Sequence, residues 1–191
     1  MIIKTLILLF SSLLACTPAL EVGDSSAEEV EVALGVHASS NCSQIPGQSI
    51  CNLALKDQDD KVWQLHSLKG NVVLLDFSAM WCSPCQSAAT TVQKTQDDYE
   101  SEGFSYITVL VDDPDGGTIE LDDVQAWVNS YGINTATVLQ GNRDLIDYNA
   151  IEGYPLASWP TFVFVDRGMN IYYGMYGFNE EFIRSKIEEM L

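Results

Sequence analysis

Residues 71–85 constrain the fold more than any other part of the chain, because "NVVLLDFSA" runs directly into "MWCSPC". The first stretch is apolar almost throughout and of strand length, as expected for a strand covered on both faces. The second holds Cys82 and Cys85 in a CxxC with Pro84 inside it. From Ser83 to about Glu100, Ala88, Ala89, Val92 and Tyr99 recur near helical spacing, so Cys82 stands where a helix begins. A cysteine there feels the helix dipole and the free backbone N–H groups, both of which favour its thiolate. Cys82 is therefore the expected nucleophile. Cys85, one turn further in, is placed to close a disulfide with it and to resolve a mixed disulfide. Pro84 suits the first helical turn, where a missing N–H costs nothing.

The rest of the chain supplies the frame for this unit. "NLALKD" and "KVWQL", with "DQDD" between them, predict a short hairpin near the start. "FSYITVLVD" (104–112) reads as a second buried strand. Leu121, Val124, Trp127, Val128 and Tyr131 mark one face of a helix that Gly132 ends. "TFVFVD" (161–166) and "NIYYGMYG" (170–177) predict a hairpin around Arg167–Met169. Glu180 to Leu191 reads as a last helix capped by Asn179, with Glu180 and Glu181 at its positive end. Strands that alternate with helices and close in a hairpin predict an α/β three-layer sandwich, a central mixed sheet flanked by helices.

The N-terminus predicts export. Met1–Lys4 carry one positive charge and Thr5–Leu14 form a short apolar run, as in a signal peptide. The run is too short to span a bilayer. It ends in Leu13-Leu14-Ala15-Cys16, which resembles a bacterial lipoprotein box. That resemblance implies cleavage after residue 15 and acylation of Cys16; an ordinary secretory peptide is the alternative. Residues 16–40 have no sustained period and read as a lipid-anchored flexible tether, leaving 41–191 as the folded domain. Fully extended, such a tether reaches about 80 Å. Five cysteines are an odd number. With Cys16 given to lipid, Cys42 pairs with Cys51 and Cys82 with Cys85, in a compartment where disulfides persist. Cys42 and Cys51 flank "SQIPGQSI" and are expected to form a structural disulfide, a second redox pair being the alternative. The net charge of −18 excludes a nucleic-acid partner, which needs a basic face.

"LHSLKGNVVLLDFSAMWCSPC", followed far downstream by Pro160-Thr161 before a strand, resembles the active-site entry of thioredoxin-like proteins. The nearest likeness is to the exported, membrane-tethered TlpA- and ResA-like branch. The resemblance covers roughly residues 45–191 and implies a thiol–disulfide oxidoreductase that needs no cofactor. It implies that Asp76, expected to be buried among Leu74, Leu75 and Phe77 with a raised pKa, takes the proton of Cys85. It implies a cis bond before Pro160, with Trp81, Pro84, Trp159 and Pro160 forming the substrate-binding surface around Cys82. Members of the branch often carry a Glu three residues after the second cysteine. Ala88 stands there in this chain, so its proton handling resembles thioredoxin more than cytochrome c maturation proteins. The partners implied are exported proteins with thiols or disulfides, and a membrane thiol transporter as electron donor. The place implied is the periplasmic side of a bacterial membrane. Thr17 after Cys16 favours the outer membrane where one exists.

Other chemistries are disfavoured. Zinc needs two more ligands, yet His37 and His66 have no paired spacing. Copper carriers of the superfamily space their cysteines differently. In "VDDPDGGTIELDD" (111–123), Asp113 and Asp115 fit the first calcium-loop positions, but Gly117 falls where the third ligand belongs. The stretch reads as a solvated acidic loop. A peroxidase of the peroxiredoxin type needs a Thr-x-x-Cys that is missing here. Two further readings are a non-catalytic binding module of the same fold and a disulfide-forming oxidase. Ser83-Pro84 places no cation beside Cys82 and resembles the dipeptide of reducing thioredoxins, so the reducing direction is expected.

Overall fold

A computed structural model describes Val32–Leu191. The expected signal peptide (1–15), Cys16 and the tether as far as residue 31 lie outside the described residues. The strands are β1 (Gly35–His37), β2 (Asn52–Asp57), β3 (Val62–Gln64), β4 (Val72–Ser78), β5 (Phe104–Leu110), β6 (Thr137–Gln140), β7 (Thr161–Val165) and β8 (Ile171–Tyr176). The helices are α1 (Ser83–Tyr99), α2 (Leu121–Tyr131) and α3 (Glu180–Met190).

One mixed sheet runs β1-β2-β6-β5-β4-β7-β8, with β3 on the other edge of β2. β4, β5 and β6 are parallel, whereas β2 and β7 run antiparallel to their inner neighbours. Parallel strands with crossover helices between them are covered on both faces, and every residue of β4 is buried. This is the α/β class the sequence predicts. Among the described residues no helix is long and apolar enough to cross a membrane.

The two faces of β4 have different neighbours. Phe104 of β5 meets Tyr99 of α1 edge-on, ring centroids 5.9 Å apart. Tyr106 and Thr108 alternate with Phe104, and their register partners Leu74 and Asp76 share that face. Phe77 points the other way and packs on Tyr154 at 4.5 Å, so irregular chain around Tyr154 covers the face opposite α1. α3 lies beside α1: Tyr99 Oη donates to Glu188 at 2.6 Å, and the Arg184 guanidinium sits 5.0 Å from the Tyr99 ring.

Caps form where residue chemistry predicts. Gly132 ends α2 at φ 63°, its N–H on Val128 O. Asn179 caps α3, its Oδ1 accepting from Phe182 N–H. Two elements depart from the sequence reading. β1 lies inside the stretch read as tether (16–40), yet pairs with Asn52–Ala54, so the sheet takes in residues N-terminal to 41. β6 was not anticipated; its four residues close the parallel half of the sheet.

Candidate active site

β4 delivers the chain to the carboxyl edge of the sheet, where α/β proteins place ligands. A tight turn follows, with Cys82 N–H on Ala79 O at 3.1 Å and Met80 N–H on Asp112 O at 3.0 Å. Cys82 is then the N-cap of α1, in extended conformation, and its Sγ accepts the Cys85 N–H at 3.2 Å. Polar side chains usually hold that position and satisfy a free helix donor; here sulfur does so. Ser83 and Pro84 form the exposed first turn. Cys82 and Cys85 are joined as a disulfide with Cα atoms 5.2 Å apart. Cys82 is 5% exposed and Cys85 fully buried, so of the two only Cys82 has any solvent exposure.

Asp76 faces the layer into which α1 buries Cys85. It is 1% exposed, and burial raises its pKa from 3.8 to about 7 by disfavouring the carboxylate. Two hydrogen bonds oppose that rise: Ser78 Oγ donates to Oδ1 at 2.7 Å, and Tyr106 Oη to Oδ2 at 3.1 Å. The carboxyl is thus poised between its two forms near neutral pH. Ala88, in place of the branch's Glu, is buried and carries no proton.

The register of β4 with β7 pairs Phe77 with Thr161, which puts Pro160 at the same edge as the turn to Cys82. The Trp159–Pro160 bond is cis. Pro160 is buried and its carbonyl accepts Gly177 N–H at 2.8 Å, while Trp159 packs partly buried against the core. Trp81 is 47% exposed, and its Nε1–H donates to Asp112 Oδ2 at 3.1 Å.

Cys42 and Cys51 are bonded, Cα atoms 4.9 Å apart. Their loop is stitched to the β7–β8 hairpin, through Gly47 N–H to Ile171 O at 2.7 Å and Ile50 N–H to Met169 O at 2.9 Å.

Asp112 departs from the sequence reading. It lies in the loop 111–123, which its sequence predicts to be solvated, yet its side chain is 0% exposed and Arg143 forks onto it. The rest of that loop is as expected at Asp113, whose Oδ1 accepts the N–H groups of Asp115 and Gly117 and closes its own turn. Ser78, Tyr106, Asp112 and Arg143 were not singled out from sequence. Strand alternation places Ser78 with Asp76 and was the available signal; nothing local marks Arg143.

A mixed sheet of this order, with a CxxC opening the helix after an inner strand and a cis-proline opening the strand beside it, defines a thioredoxin-like α/β protein. The chain belongs to the AhpC/TSA family, whose model matches residues 46–174. It is similar to the thiol-disulfide oxidoreductase ResA of Bacillus subtilis, 29% identical over 60% of this chain and 58% of that one. ResA of Halalkalibacterium halodurans is 28% identical over 57% and 58%. The match therefore spans less than two thirds of these relatives' length. Among solved structures, the thioredoxin domain of a thiol-disulfide oxidoreductase from Bacteroides vulgatus superposes with a TM-score of 0.63. That likeness has 18% identity, covers 77% of this chain and 99% of that one, and bears on the fold alone. At the place of a peroxidase threonine, three residues before Cys82, stands the buried Ala79.

Proposed function

We propose that this chain is an extracytoplasmic thiol–disulfide oxidoreductase that reduces protein disulfides through Cys82 and Cys85. The observation that carries the reading is the position of Cys82, whose Sγ caps α1 and accepts the Cys85 N–H while bonded to the Cys85 sulfur. In the reduced protein the same N–H and helix dipole stabilise a Cys82 thiolate. That thiolate attacks a substrate disulfide, forms a mixed disulfide and expels one substrate thiolate, which takes up a proton. Asp76 accepts the proton of Cys85, and the Cys85 thiolate attacks Cys82 Sγ. The second substrate thiol leaves, and the pair returns to the disulfide of this structure. Two electrons pass to the substrate, and a membrane thiol transporter restores them. The substrate groove is the edge formed by Trp81, Pro84, Trp159 and cis-Pro160. Cys42–Cys51 stays closed as a structural bond.

Several features support the placement and direction. "LLAC" supports a lipid anchor at Cys16 on the periplasmic side, in the outer membrane where one exists. Ser83-Pro84 supports the reducing direction, since no cation between the cysteines over-stabilises the thiolate as in strong oxidants. The relatives' names, thiol-disulfide oxidoreductase ResA, support the reaction class. The test is turnover of a disulfide-bonded protein with dithiothreitol as donor. Cys82→Ser is expected to abolish it, and Cys85→Ser to trap a mixed disulfide through Cys82. A wild-type protein that binds such a substrate without reducing it refutes the enzyme reading in favour of a binding module.

A further inference from the structure

The turn after β6 brings a cation to the carboxyl edge of the sheet. Gly141 N–H meets Leu110 O at 2.8 Å, and a Cβ on residue 141 would lie 2.5 Å from that oxygen. Only glycine permits so close a backbone approach. Arg143 then opens a single 3-10 turn, capped by Asn142 through Asp144 N–H to Oδ1. Its Nε donates to Asp112 Oδ1 and its Nη2 to Oδ2, both at 2.7 Å. Such a two-point fork fixes geometry as well as charge. The Asp112 side chain is fully buried while that of Arg143 is 62% exposed.

Asp112 is tied in turn to the two residues before Cys82. Its Oδ2 accepts from Trp81 Nε1 at 3.1 Å, and its carbonyl accepts from Met80 N–H at 3.0 Å. A bare carboxylate there would disfavour the Cys82 thiolate through like charge. Besides the guanidinium, the Trp81 Nε1–H is the side-chain donor that stabilises this carboxylate. From its own loop Asp112 is followed by Asp113, and the segment that carries Arg143 adds Asp144 and Tyr148. The turn of Met80 and Trp81 brings no titratable group.

We propose that Arg143 is a positioning residue of the redox centre: by forking Asp112 it fixes the Trp81 indole and balances the charge of a carboxylate bonded to the residue before Cys82. Its effect on turnover rests on the thiol–disulfide reading, but its effects on Trp81 and on the Cys82 thiol do not. Arg143 holds the Asp112 carboxyl below its usual range, so the fork persists through acid-to-neutral pH. Without the guanidinium, the fully buried Asp112 carboxyl keeps only the Trp81 side-chain donor and takes up a proton at higher pH.

The experiment uses full-length protein with Arg143→Met, which keeps much of the side-chain bulk, and Arg143→Lys, which keeps the charge without the fork. Two readouts are followed against pH: the Trp81 indole N–H resonance, assigned with Trp81→Phe, and the alkylation rate of Cys82 in the reduced protein. Wild type should show a flat Trp81 resonance through acid-to-neutral pH. Arg143→Met should add a titration step there and slow Cys82 alkylation at neutral pH about tenfold. Arg143→Lys should recover most of the alkylation rate and only part of the Trp81 position. The double variant Arg143→Met with Asp112→Asn removes both charges, so it should restore alkylation and abolish the step; it also serves if the single Met variant does not fold. Trp81 and alkylation profiles equal to wild type in Arg143→Met overturn the inference. Equal losses in the Lys and Met variants overturn its charge-balancing part. Neither readout requires turnover, so a protein that never reduces a disulfide fails the functional reading while this one is still decided.

Discussion

Replacing Asp76 by Asn tests the buried carboxyl through stability as well as rate. The native state holds the Asp76 proton up to about pH 7, whereas the unfolded chain releases it near 3.8. Between those values the native state binds more protons, so stability falls as pH rises and the penalty is complete above about 7. The rise is about three pH units, which sets an upper bound of about 4 kcal/mol on that penalty. Asparagine removes the penalty but keeps one acceptor, so either Ser78 or Tyr106 loses its partner, at a cost of about 1–2 kcal/mol. Asp76→Asn should therefore gain stability at about pH 8.5, by at most about 2–3 kcal/mol, and lose about 1–2 kcal/mol at about pH 4. Urea unfolding of the oxidised protein at both pH values reads this directly. Parallel stability curves for the two proteins would refute the reasoning, since a solvated or permanently ionised carboxyl produces no crossover. The variant should also slow resolution, so that mixed disulfides through Cys82 accumulate, most strongly at and just above about pH 7, where Asp76 is ionised and can accept the Cys85 proton.

Peptide mapping without reductant should find Cys42 joined to Cys51, surviving a dithiol treatment that opens Cys82–Cys85; both opening at one potential would make them a relay. Replacing both Cys42 and Cys51 by Ser should cost about 2–3 kcal/mol, the worth of closing so short a loop. The Cys82–Cys85 couple should equilibrate below about −200 mV against glutathione or dithiothreitol buffers, and a value near −120 mV, that of a strong oxidant, would reverse the direction. Intact mass of membrane-extracted protein should show an acylated Cys16 with residues 1–15 gone, and a soluble form cleaved elsewhere would refute the anchor.

Much of the site was legible because its chemistry is local. Cys82, Ser83, Pro84 and Cys85 share one helical turn, so residue type and spacing already set which sulfur caps the helix. Asp76 was legible too, since a lone carboxylate in a run such as "VVLLDFS" is buried whatever packs on it. The longer elements followed from periodicity, and Gly132 and Asn179 act where their own backbone and side chain require.

Tertiary structure decided the rest, for a reason common to each case. β1 and β6 are three and four residues long, too short for a period to show, and they exist because β2 and β5 offer unpaired edges. Tyr106 reaches Asp76 only because parallel register brings two strands side by side, 30 residues apart in sequence. Arg143 reaches Asp112 across 31 residues, through a turn that Gly141 lets close against Leu110. By itself the sequence determined the local chemistry: a cysteine at a helix start, a proline in its first turn, a carboxylate inside an apolar strand. The fold decided which distant groups meet that chemistry, because through-space pairing depends on strand register and close backbone approach, and neither is written in any short stretch of residues.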